Sequence, residues 1–163
     1  MRALFFISLP LLACLRPPAA PLVVDAGPPP DDCTAATVLV PGVPGSPGHL
    51  IPSEINPNGA SELATLMRTM VADWKDARVK LEADAGVSAR LPVHRKIRCS
   101  WPTAANDRNP AFDGLAVGYL AKVKAFDAKP SRETYEGVLD GCKACHDVSC
   151  GGPLELIQGM RWP

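Results

Sequence analysis

Proline sets the limits on what this chain can fold into. Eleven of its 18 prolines fall between Leu15 and Asn58, in runs such as Arg16-Pro17-Pro18, Gly27-Pro28-Pro29-Pro30 and Pro41-Gly42-Val43-Pro44. Each proline fixes its own φ and removes a backbone donor, so neither a helix nor an inner strand runs through such a segment. Residues 14–59 therefore read as a semi-rigid, partly extended tether, with Val38-Leu39-Val40 as a short strand or docking patch. A packed core is left to residues 60–163, about 100 residues, the size of one ordinary domain.

The chain opens as an address. Met1-Arg2-Ala3 gives a positive start and Leu4 to Leu12 an apolar run. The run is too short to span a bilayer, which takes about 20 apolar residues, and it fits a secretory signal. It ends in Leu11-Leu12-Ala13-Cys14, which resembles the bacterial lipoprotein cleavage box. That resemblance implies loss of residues 1–13, acylation of Cys14, and an exported domain lipid-anchored to a bacterial membrane, in the periplasm or cell envelope. Ordinary export with Cys14 incidental is the alternative. Basic and acidic residues balance at 17 each, so no basic stripe exists to release counterions from nucleic acid.

Helical spacing dominates the remainder. Pro57-Asn58-Gly59-Ala60-Ser61-Glu62 carries the turn, cap and first-turn acid of a helix start. Leu63, Leu66, Met67, Met70, Val71, Trp74 and Leu81 then recur at a helical period, and Gly86 ends the run. Pro92 and Pro102 bracket a short second helix containing Val93, His94 and Ile97. A third begins at Pro110 and carries Phe112, Leu115, Ala116, Tyr119, Leu120, Val123 and Phe126. A fourth begins after Ser131 and runs through Tyr135, Val138 and Leu139 to Cys145. Alternating strand patterns are absent. The expected fold is all-α: a four-helix bundle, up-down-up-down, with a degraded second helix.

The chemistry sits at the end of the fourth helix, in Cys142-Lys143-Ala144-Cys145-His146. This is C-x-x-C-H, the attachment sequence of c-type haem. Two thiols three residues apart on one helical face each reach a haem vinyl group, and His146 offers its imidazole to the iron. Covalent attachment lets a small bundle keep a cofactor it cannot enclose. Two other readings stand beside it. One is a thiol-disulfide pair, which normally opens a helix in a βαβ setting rather than closing one. The other is a structural zinc module built from Cys142, Cys145, His146 and Cys150, in which adjacent Cys145 and His146 make tetrahedral ligation awkward.

A C-x-x-C-H motif near the C-terminus of the last helix of an all-α bundle resembles the cytochrome c-prime group, the class II cytochromes c. The likeness covers roughly Ser61 to Trp162. It departs where 17 residues follow His146 and where prolines break the second helix, features of a divergent member. The resemblance implies one covalent haem c held by Cys142 and Cys145, with His146 as proximal iron ligand. It also puts the start of the first helix beside the haem, offering Met67 as distal ligand and Met70 as its alternative. His94, beside Arg95 and Lys96, reads as a solvated histidine.

Three cysteines remain, and they cannot all pair internally. The second and fourth helices should finish at one end, which favours Cys99–Cys150, with Cys33 able to replace either. Gly151-Gly152-Pro153 then turns the chain so that Leu154, Leu156, Ile157 and Met160 pack back as a tail on the haem end. Gly114 with Gly118, and Gly137 with Gly141, give either room for a porphyrin edge or close helix contact. Lys122, Lys124 and Lys129 read as a solvated face, or else as a weak docking patch. The expected function is one-electron transfer with an unidentified redox partner, not enzymatic catalysis. The alternative is five-coordinate binding or sensing of NO or CO, whose open site would bring weak peroxidatic activity within reach. A homodimer is a further expectation from the resemblance.

Overall fold

The computed structural model describes residues 33–163; the leader, Cys14 and the first half of the tether lie outside them. The described residues form α1 (Glu62–Glu82), α2 (Leu91–His94), α3 (Pro110–Ala128), α4 (Arg132–Ser149) and α5 (Leu154–Gly159). Arg95–Arg98 prolongs α2 as a 3₁₀ turn, and Ala105–Asp107 forms another. Among the described residues the only strand-like pairing is an isolated bridge between Ile51 and Ala60. The domain is all-α.

Local chemistry fixes the helix starts. Ser61 caps α1, its side chain accepting from Ala64 N. Asn109 caps α3 ahead of Pro110, whose missing N–H costs nothing in a first turn. Ser131 and Thr134 form a reciprocal capping box on α4. At α1 the first-turn donors draw in other segments as well: Glu62 N donates to Gly45 O (3.1 Å) and Leu63 N to Trp101 O (2.9 Å). Glu62 in turn accepts from Trp101 N at 2.9 Å. The orphan N–H groups that open any helix here stitch two loops to it.

The core lies between α1, α3 and α4, with Met70, Trp74 and Ala77 meeting Ala116, Tyr119, Val123, Phe126, Tyr135, Val138 and Leu139. α3 and α4 pack along most of their length. Within this apolar mass lies a polar line. Trp74 Nε1 donates to Tyr119 Oη (3.0 Å), which also meets His94 Nδ1 at 2.7 Å. His94 Nε2 lies 3.0 Å from Asp73 Oδ2. His94 is therefore fully buried rather than solvated. Its charged neighbours in sequence point elsewhere, while the ring turns inward to two partners.

Three expectations are corrected. The disulfide joins Cys33 to Cys99, not Cys99 to Cys150, and Cys150 is an exposed free thiol. The N-terminal segment reaches Cys99 first because residues 33–60 lie along the domain instead of standing off as a tether. Arg108 donates to Thr37 O (2.8 Å) and Thr34 O (2.9 Å), and Trp101 Nε1 to Val40 O (2.6 Å). Gly45, at φ +88°, makes this course feasible: a Cβ there would come within 2.6 Å of Glu62 Cγ and 2.7 Å of its backbone N.

The third correction concerns the tail, which does not cover the C-x-x-C-H end. It runs back toward the opposite end of α4. Tyr135 Oη donates to Met160 O (3.0 Å), and Arg161 pairs with Glu136 (2.7 Å). Arg132, in the first turn of α4, donates to Pro163 O at 3.1 Å. Trp162 sits edge-on to Tyr135 and between the guanidiniums of Arg78 and Arg132. Ile157 and Met160 are buried by this course, whereas Leu156 stays exposed.

Two outcomes follow. Replacing Cys33 and Cys99 together by serine opens a loop of 66 residues and is expected to cost about 2–4 kcal/mol in denaturant unfolding. Burial lowers the pKa of His94 below its ordinary 6.5, against the opposing pull of the Asp73 hydrogen bond. The unfolded chain then takes up that proton first, so this stability is complete above about pH 6.5 and declines below it. Melting temperatures measured from about pH 7 to 5 should fall over a range in which carboxylates have barely begun to titrate.

Candidate functional site

The cap at Ser131 sets the phase of α4, and that phase places Cys142, Cys145 and His146 on one face in its last turns. The helix continues past Cys145 to Ser149, so all three sit on regular backbone. Cys142 packs against the core, while Cys145 and His146 are half-buried.

Cys145 and His146 line a cavity of about 180 Å³, open on one side, together with Leu63, Ala64 and Met67 from α1 and Phe112 and Leu115 from α3. Ser61, Pro102 and Thr103 complete its wall. The wall is thus held by the same α1 cap and Trp101 contacts that fix the N-terminal loop. The lining is mostly apolar. Met67 belongs to it, whereas Met70 is core, only 5% exposed and absent from the cavity. Of the two methionines offered by the resemblance, the fold brings one into the cavity with His146.

His146 Nδ1 lies 2.8 Å from the carbonyl oxygen of Cys150. A carbonyl only accepts, so Nδ1 carries the hydrogen and Nε2 keeps its lone pair, the form that ligates a metal. The thiols are held in the opposite sense from reactive cysteines. Burial, with the neighbouring Cys145, pushes the pKa of Cys142 up to about 12, and burial also raises that of Cys145. Catalytic thiol-disulfide pairs use the reverse shift. Among the described residues no three His, Cys, Asp or Glu side chains converge as metal ligands.

The donor set of two thiols, an imidazole and a thioether is one that a covalently held porphyrin would use, with Cys142 lying outside the cavity wall. A cavity this size is smaller than the roughly 300–1,000 Å³ that buries a free ligand of comparable bulk, so retention would rest on the thioether bonds. Gly114, Gly118 and Gly137 have nothing within 4 Å of an added Cβ, whereas one at Gly141 would lie 3.4 Å from Tyr119 Cα and Cδ2. The glycine pairs therefore divide: Gly141 allows close approach of α3, and the other three face open space. Lys122, Lys124 and Lys129 are exposed.

Sequence reasoning missed the Asp73–His94–Tyr119 line. Its one visible signal was a histidine and a tyrosine at core positions of neighbouring helical patterns. Comparisons with protein-family models, with curated proteins and with solved structures found no match.

Thiol chemistry offers a direct check on this geometry. In haem-free protein, alkylation followed by mass mapping should modify Cys150 first, Cys145 more slowly and Cys142 last. Rapid labelling of Cys142 would contradict its burial.

Proposed function

We propose that this domain is a monohaem c-type cytochrome that carries single electrons in the bacterial cell envelope. The observation that carries the reading is the meeting of Cys145, His146 and Met67 in one mostly apolar cavity, with Cys142 one turn behind on the same helix face. Cys142 and Cys145 would hold the haem through thioether bonds, with His146 Nε2 as proximal ligand and Met67 as distal ligand. When bound, the group would supply an iron centre that cycles between two oxidation states, with methionine opposite histidine raising its potential.

The protein's own contribution is positional. The Cys150 carbonyl orients His146, and Leu63, Ala64, Phe112 and Leu115 keep the distal side apolar. α1 and α3 start at the end where α4 finishes, which supports the four-helix up-down arrangement of the class II cytochromes c, with α2 and its 3₁₀ turn as a shortened second helix. Export, acylation at Cys14, a redox partner and self-association complete the proposal on sequence grounds.

A second reading draws on the openness of the cavity. If Met67 stays off the iron, that apolar space suits a diatomic gas. Production with haem-maturation machinery, followed by intact mass and oxidised and reduced spectra, decides among these. The expected result is a mass gain of one haem and a sharp low-spin reduced spectrum that Met67→Ala converts to high spin and Met70→Ala leaves unchanged. A high-spin wild type that shifts with CO would favour gas binding. Protein of bare polypeptide mass would overturn both readings.

A further inference from the structure

Of the three histidines, His94 alone is wholly buried, and every hydrogen around it has a definite place. The indole of Trp74 can only donate, so Tyr119 Oη accepts from it at 3.0 Å. The Asp73 carboxylate only accepts, so Nε2–H donates to its Oδ2 at 3.0 Å, and in the neutral ring Nδ1 then accepts from the Tyr119 hydroxyl at 2.7 Å. The result is a neutral imidazole already bonded to the carboxylate that would stabilise its cation.

The charges facing it are Asp73 and Asp76 from α1, Arg90 from the α2 cap, and Tyr119 and Asp127 from α3. Arg90 spans Asp73 (3.4 Å) and Asp76. Asp127 accepts from Arg90 N and Leu91 N, at 2.9 and 2.8 Å. Burial opposes a charge on His94, Asp73 favours one, and Arg90 disfavours it. Asp73 is partly exposed, with 22% of its side chain open to solvent, so the line reaches water there. At the other end Tyr119 packs against Gly141, next to Cys142, and burial holds its hydroxyl protonated. The line thus runs from the surface of α1 to the attachment segment.

We propose that His94 is a proton-accepting site coupled to the electron at the C-x-x-C-H centre, an inference that rests on the haem reading above. With haem bound, an electron from a reduced partner would lower the charge at the centre by one, and one proton from solvent would add to His94 at Nδ1, the ring nitrogen that carries no hydrogen. Nδ1–H would then donate to Tyr119 Oη in place of the Tyr119 O–H···Nδ1 bond, which is given up, while Nε2–H keeps its bond to Asp73. Oxidation reverses both movements. The physical cause is charge balance: negative charge added inside a poorly polarisable domain strengthens a nearby base.

The test is potentiometry of the holoprotein against pH, after intact mass has verified covalent haem. The wild-type midpoint should fall as pH rises through a window below the ordinary histidine pKa, by up to about 59 mV per tenfold change in proton concentration. Asp73→Asn should move the window to lower pH, and His94→Gln should remove it. Because His94→Gln also removes buried hydrogen bonds that hold the fold, the His94 ring nitrogens are followed by NMR in wild type as well, where their titration should sit higher in the reduced form. Absence of haem overturns this inference and the reading beneath it. With haem present, a flat potential, a slope that survives His94→Gln, or identical His94 titrations in both oxidation states overturns this inference alone.

Discussion

The phenol oxygen of Tyr119 is where three helices agree on their positions. It accepts from Trp74 on α1 and donates to His94 at the end of α2, while its own backbone lies against Gly141 of α4. An unpaired polar group at this depth would cost about 1–3 kcal/mol, so a rotation of any one helix strands a neighbour's donor or acceptor. Apolar packing alone tolerates sliding; this directional set does not. Because Tyr119 and Phe112 share α3, the register fixed in the core is passed to the cavity two turns away.

Features dictated by neighbours in sequence were legible. Ser61 and Ser131 mark helix starts through hydrogen bonds to backbone three residues on, Pro110 does so through its fixed φ, and α1, α3 and α4 begin where those residues put them. The face shared by Cys142, Cys145 and His146 follows from helical geometry alone. The approach of Met67 needed one further step, that a chain reversing direction brings one helix's start beside another's end. The fold separates the two methionines in the order expected, Met67 in the cavity wall and Met70 in the core.

What was illegible depends on partners far along the chain. The choice of Cys33 over Cys150 turns on how the loop between them and the domain is held by Arg108 and Trp101, contacts that no local pattern announces. Over residues 33–59 proline and glycine content pointed correctly to a non-helical course, yet gave no sign that its turns would bind a surface. His94 was misread because Arg95 and Lys96 beside it promised solvent, whereas a single turn of helix sends adjacent side chains in different directions. The tail's course was set by Glu136, Tyr135 and Arg132, which catch its last residues and draw it away from the cavity.

That course leaves the chain with a sorting problem in sulfur chemistry. Any oxidant able to close Cys33–Cys99 also meets Cys142, Cys145 and Cys150. Folding ranks them by access: Cys150 lies outermost, while Cys145 and Cys142 are both half-sheltered and Cys142 packs on the core, where burial keeps its proton in place. Cys145 and Cys150 line the same cavity, so the folded domain by itself does not keep those two apart.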